Sequence, residues 1–111
     1  MRCEENQLFL ENVKIEFNER IDSILEQGDR IYILLDISPK AELDYNDYHN
    51  IYAYSTDGKL NWQIQPRPQG DEAVYTMINF NEGKLYANDF LGRRYLVDEE
   101  TGVPHAMKIT K

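Results

Sequence analysis

Apolar and polar residues alternate along most of this chain with a period of two, the spacing of a strand with one buried face. Over residues 8–17, Val13, Ile15 and Phe17 take one side and Lys14 and Glu16 the other, which predicts an N-terminal strand. Ile21, Ile24 and Leu25 fit a helical or an extended spacing, and are read as a strand because the matching segment later in the chain is one. After the turn Gln27-Gly28-Asp29, Ile31, Ile33, Leu35 and Ile37 form one wholly apolar face, with Tyr32 and Leu34 on the other. A strand apolar on both faces belongs inside a stack of sheets, covered on both sides. This segment is the expected heart of the core, and Pro39, which cannot donate to a ladder, ends it.

The rest of the pattern repeats. Ser38–Asn50 reads as loop or short helix, Ile51–Ser55 as a strand, Thr56-Asp57-Gly58-Lys59 as a hairpin turn, and Leu60–Gln65 as a strand anchored by Trp62. Pro66–Gly70 is a joint. Beyond it, Val74–Phe80 places Val74, Thr76, Ile78 and Phe80 on one face. Lys84–Phe90, Arg94–Asp98 and Pro104–Thr110 follow, the last with His105, Met107 and Ile109 together and His105 half-buried. The expectation is an all-β fold of about eight or nine short strands. It forms one domain, 1–111, with an N-terminal strand at about 8–17 and two four-stranded antiparallel meanders at about 20–65 and 74–110.

Both meanders share an order: glycine, apolar-Tyr strand, second Tyr-bearing strand, acidic turn, glycine. This order resembles the blade repeat of pyrroloquinoline-quinone-type β-propellers. Asp98-Glu99-Glu100-Thr101-Gly102 matches the acidic-x-x-Thr-Gly turn of such blades, and Ser55-Thr56-Asp57-Gly58 followed by Trp62 is a shortened version. No tryptophan follows Gly102, which departs from the pattern. The resemblance implies blade-like sheets. Quinone chemistry needs a closed ring around an axial site, and two blades supply none, so cofactor and oxidoreductase activity do not carry over. The object expected is a half-propeller with strand edges left open, which proteins cover, charge or use.

Charge narrows the partners. The net charge is −8, and residues 1–60 hold 13 Asp and Glu against 6 Lys and Arg. Direct nucleic-acid binding and anionic membranes are thereby disfavoured, since both need clustered cations. An acidic surface also aids solubility without any partner. The single cysteine, Cys3, excludes an internal disulfide and fits a reducing compartment. No apolar leader follows Met1, so the expected location is the cytoplasm. His49 and His105 lie outside any metal-ligand spacing, and no nucleophile elbow or phosphate loop is present. No enzyme, metal or cofactor is expected. His49 reads as a polar loop residue, and the Asp98–Glu100 carboxylates as a solvated turn.

The insert in the first meander is the candidate recognition element. Glu42, Asp44, Tyr45, Asp47 and Tyr48 alternate acid and aromatic there, and Asp71 and Glu72 after the joint are a second patch. Loops on a rigid sheet commonly carry recognition; a mobile, solvated loop is the plainer alternative. Tyrosine offers broad contact at low entropy cost, and Asp pairs with arginine. A small acidic protein with an incomplete propeller and no catalytic set is similar to the immunity proteins of bacterial contact-dependent growth inhibition and related polymorphic toxin systems. That resemblance implies a monomer when free that binds a cognate basic toxin domain, a nuclease, and covers its active site. The rivals are a generic interaction module that completes a propeller with other chains, and an enzyme using the acidic turns.

Overall fold

The computed structural model describes residues 1–70 and 73–107. Within them lie eleven strands and one short helix. β1 (Arg2–Glu4), β2 (Gln7–Phe9) and β3 (Lys14–Glu16) form a three-stranded antiparallel sheet. β4 (Arg20–Gln27), β5 (Arg30–Asp36), β6 (Ile51–Ser55) and β7 (Leu60–Gln63) form a four-stranded meander in chain order. β8 (Tyr75–Asn81), β9 (Lys84–Asp89), β10 (Arg94–Val97) and β11 (Pro104–Ala106) form the second. The fold is all-β, and the insert between β5 and β6 carries the helix α1 (Tyr45–Tyr48).

Residues 8–17 are two strands rather than one. The chain reverses between them, with the Leu10 N–H donating to Val13 O at 2.8 Å, so that Leu8 pairs with Ile15 across the sheet. Polar–apolar alternation runs through both arms of this hairpin, which is why it resembles a single strand. With β1 these arms make a sheet of their own, the first in chain order, in addition to the two expected.

β5 sits at the centre, as its two apolar faces require. Ile31, Ile33 and Leu35 pack with Leu8 and Phe17 from the first sheet's side. Tyr32 and Leu34 pack the other way, with Trp62, Ile64, Tyr75, Leu85 and Tyr95. The middle sheet is therefore covered on both faces, and each fully buried side chain of this kind contributes roughly 1.5–3 kcal/mol.

Polar clamps hold the second and third sheets together. Asn50 is fully buried; its Nδ2 donates to Leu35 O at 2.8 Å and to Tyr75 O at 2.9 Å, and its Oδ1 accepts from the Tyr75 N–H at 3.0 Å. At the far end the β10–β11 turn latches back onto the middle sheet. Tyr32 OH donates to Glu99 Oε1 at 2.8 Å, and Glu99 O accepts from Trp62 Nε1 at 2.9 Å and from Arg30 Nη1. Burial foremost, with Glu99 beside it, pushes the Tyr32 hydroxyl well above the ordinary tyrosine value. Gly102 lies flat on the Trp62 ring, where a Cβ would come within 2.7 Å. The acidic turn expected to be solvated is thus in part an inter-sheet contact.

Two register details depart from simple alternation. A shift between Tyr75 and Met77 turns Tyr75 and Ile78 inward and leaves Thr76 exposed, so Val74, Thr76, Ile78 and Phe80 do not share a face. His105 is exposed, because β11 is an edge strand and His105 pairs with Leu96. Residues 108–110 of the expected last strand lie outside the described residues.

Candidate functional site

The insert is ordered by its own carboxylates. Asp44 is the N-cap of α1 and its Oδ1 accepts from the Asp47 N–H at 2.9 Å, while Asp47 Oδ2 accepts from the Asp44 N–H at 2.9 Å. This reciprocal pair is a capping box built from two aspartates. The other end is closed by His49, whose N–H donates to Tyr45 O at 3.1 Å and whose Nδ1 lies 2.6 Å from the same oxygen. The His49 ring stacks against Tyr45 at 3.9 Å between centroids. His49 is 1% exposed, so it is a buried cap rather than a polar loop residue.

α1 forms one wall of a cleft of about 420 Å³. The opposite wall is the β3–β4 connection with Glu16 and Glu19, and the aromatic floor is Phe17, Tyr52 and Tyr54. Phe17 meets the two tyrosine rings at 5.5 and 6.0 Å. Four carboxylates (Glu16, Glu19, Asp44 and Asp47) line it against one cation, Lys40. Lys40 Nζ bridges the walls, 3.1 Å from Asp47 Oδ1 and 3.5 Å from Glu19 Oε1.

The titrations follow from these contacts. Burial pushes the Asp47 carboxyl up, but the Asp44 N–H and Lys40 outweigh it and hold the group below the ordinary aspartate value. Glu19 is lowered by the Ser38 N–H, which donates to it at 2.9 Å. Tyr52 is raised, first by burial and then by Tyr54, Asp44 and Asp47. The cleft therefore holds fixed negative charge over a neutral aromatic floor, an arrangement suited to ammonium or guanidinium groups.

Of the residues expected to bind a partner, Asp44 and Asp47 line this cleft. Tyr45 is 56% exposed beside it, Tyr48 is half-buried, and Glu42 is exposed on the approach to α1. Asp71 and Glu72 lie outside the described residues. Glu16, Glu19, Tyr52 and Tyr54 enter the site only through the stacking of the first sheet on the second. No signal in the linear sequence joins them to the insert. Among the described residues no group of three or more His, Cys, Asp or Glu side chains could hold a metal ion. Nor is any helix among them long and apolar enough to cross a membrane.

A second depression shares Ile37 and Lys40 with the acidic cleft. It measures about 370 Å³ and is mainly apolar, walled by Pro39, Leu43, Val74, Phe90 and Leu91. Phe90 and Leu91 come from the β9–β10 turn. Two large apolar residues in a tight turn, where polar residues prevail, are the signal that could have marked this place from the sequence.

The architecture, with a first sheet, two meanders and the last turn latched back, spans almost the whole chain, and so does one family model: Domain of unknown function (DUF7957) matches residues 1–108. The chain belongs to the DUF7957 family. No curated protein and no solved structure matches it. The cleft and groove of this DUF7957 chain lie within the matched residues.

Proposed function

We propose that this DUF7957 protein is an immunity protein: it acts inside the producing cell, binding a cognate cationic toxin domain, a ribonuclease, and covering its active site with an acidic surface. The observation that carries the reading is the cleft between the first and second sheets. Its carboxylates stand over an aromatic floor: Glu16 and Asp44 are exposed, while Glu19 and Asp47 are held in place by Lys40. Such a surface speeds encounter with a cationic protein and can imitate the phosphates that a nuclease binds. Standard inhibitor interfaces bury about 800 Å² from each partner, a modest part of the 6857 Å² this protein exposes.

The charge test belongs on Glu16 and Glu42. Both are exposed and neither caps α1, whereas Asp44 and Asp47 hold the helix together. The partner to use is the basic C-terminal domain of the large secreted protein expected from the neighbouring reading frame. Glu16→Lys with Glu42→Lys is expected to slow association about tenfold at low salt, with the difference shrinking as salt rises. It is also expected to weaken protection of cells expressing that domain. Equal association rates at every salt concentration would remove the charge from the mechanism.

A second reading, an interaction module without inhibitory role, draws on the outer face of the third sheet. Met77 and Met107 there are 52% and 40% exposed. Concentration-dependent self-association in gel filtration favours that module; a monomer at all concentrations favours the inhibitor.

A further inference from the structure

The β9–β10 turn is built more firmly than a simple connection needs. Asp89 is 2% exposed. Its Oδ1 accepts from the N–H groups of Leu91 and Arg93, each at 3.0 Å, and its Oδ2 from Arg93 Nε at 2.8 Å and Tyr95 OH at 3.2 Å. The Phe90 N–H donates to Val74 O at 2.8 Å, tying the turn to the start of β8. Gly92, at φ +83°, supplies the left-handed step that lets the chain return. A buried carboxylate thus fixes the backbone on both sides of two large apolar side chains. Yet Phe90 is 74% exposed and Leu91 59%, and neither belongs to a core cluster. The fold spends a rigid scaffold on side chains that contribute little to its own packing.

Exposed apolar side chains on a fixed backbone beside a concave wall suit a binding hot spot, because the backbone that presents them is ordered before the partner arrives. The groove walled by Ile37, Pro39, Leu43 and Val74 supplies the concavity. It adjoins the acidic cleft at Ile37 and Lys40, and the carboxylates of that cleft supply the charge that selects the occupant. We infer that Phe90, Leu91 and this groove are the apolar anchor for the same cationic protein that the cleft attracts, seating an apolar side chain of that partner while a neighbouring Lys or Arg enters the cleft. The inference rests on the proposed reading of the cleft as a cation-binding surface.

Two capped hexapeptides separate the anchor from the charge: Lys-Arg-Leu-Phe-Lys-Arg and its polar twin Lys-Arg-Ser-Ser-Lys-Arg, titrated into 15N-labelled protein. The apolar peptide is expected to shift the amides of Val74 and Phe90–Gly92 together with those of Asn18, Glu19 and Tyr45–Asp47. The polar twin is expected to shift only the second set. Phe90→Ser with Leu91→Ser should weaken the apolar peptide about tenfold and leave the polar one unchanged. The thermal midpoint should hold, because both side chains are exposed. Cleft shifts from both peptides without any at the turn would overturn the anchor and leave the proposed function standing. An unresponsive cleft would overturn it as well, with the charge reading beneath it as the part that failed. Self-association abolished by Phe90→Ser would show that a second copy, not a cationic partner, covers the groove.

Discussion

Asn50→Ala should loosen the contact between the second and third sheets. The side chain is completely buried and makes three hydrogen bonds of 2.8 to 3.0 Å, one to Leu35 and two to Tyr75. At about 1 kcal/mol net per bond, their loss alone removes about 3 kcal/mol. The Tyr75 N–H is left without its Asn50 acceptor, and a small void opens, so about 3–4 kcal/mol is expected. For a domain whose total stability is about 5–15 kcal/mol, this is a drop in thermal midpoint of about 12–16 °C. Trp62, the single tryptophan, is buried between these sheets and reports the transition in urea by fluorescence. Asn50→Asp sharpens the test. The introduced carboxylate still accepts from Tyr75 N–H but turns acceptors toward two carbonyls in a dry site, which raises its folded pKa above the unfolded value. Stability of that variant should therefore rise as pH falls, and fall as pH rises through the folded pKa. A loss below about 1 kcal/mol for Asn50→Ala, or no pH dependence for Asn50→Asp beyond that of the parent, would refute the clamp.

Two further perturbations probe the same packing. Gly102→Ala should cost about 2–4 kcal/mol, from a left-handed φ of +77° and from contact with the Trp62 ring. Gly28→Ala, at φ +61° with open space around it, should cost only about 1 kcal/mol; equal midpoints in thermal melts would deny the Trp62 contact. Acid should weaken the protein through Asp89. Burial pushes this carboxyl up, but the Arg93 backbone and side chain, with Tyr95, hold it below the ordinary value. A depressed folded pKa means stability that is present above the unfolded value, about 3.9, and lost as pH falls through the folded one. Asp89→Asn should flatten the acid limb of a urea-midpoint profile, and parallel profiles for variant and parent would exclude that role.

The elements that sequence made legible are those set by local pattern. β5 is apolar on both faces, and that alone placed it between two layers. The two meanders followed from turn glycines and alternation, and the short helix from the one segment that interrupts the repeat. What stayed hidden depends on partners remote in the chain. The first sheet was masked because a hairpin at residues 10–13 preserves the alternation of a single strand. The shift at Thr76 reflects how β8 meets β9, which no window of the sequence contains. Asn50 looked like one more polar loop residue, since its acceptors are 15 and 25 positions away. Half of the acidic cleft was missed for the same reason: Glu16 and Glu19 precede the insert's start at Ser38 by 22 and 19 residues.

The position of Asn50 also bears on recognition. It closes the segment that carries α1 and ties β5 to the start of β8, and so holds together elements that wall the acidic cleft and the apolar groove. The cleft needs the first sheet against the second; the groove needs the third against the insert. A surface assembled this way owes its shape to inter-sheet clamps and not to loop adaptability. Helix capping by Asp44 and Asp47 works in the same direction, because charges held by backbone N–H groups lose little freedom when a cation arrives. The acidic insert is thus a structural element first: Asp44 and Asp47 cap the helix, and Asp47, 5% exposed, is also held by Lys40, so the proposed recognition falls to the exposed carboxylates around it. This is why reversing those two charges would test folding more than recognition, and why exposed Glu16 and Glu42 are the better probes.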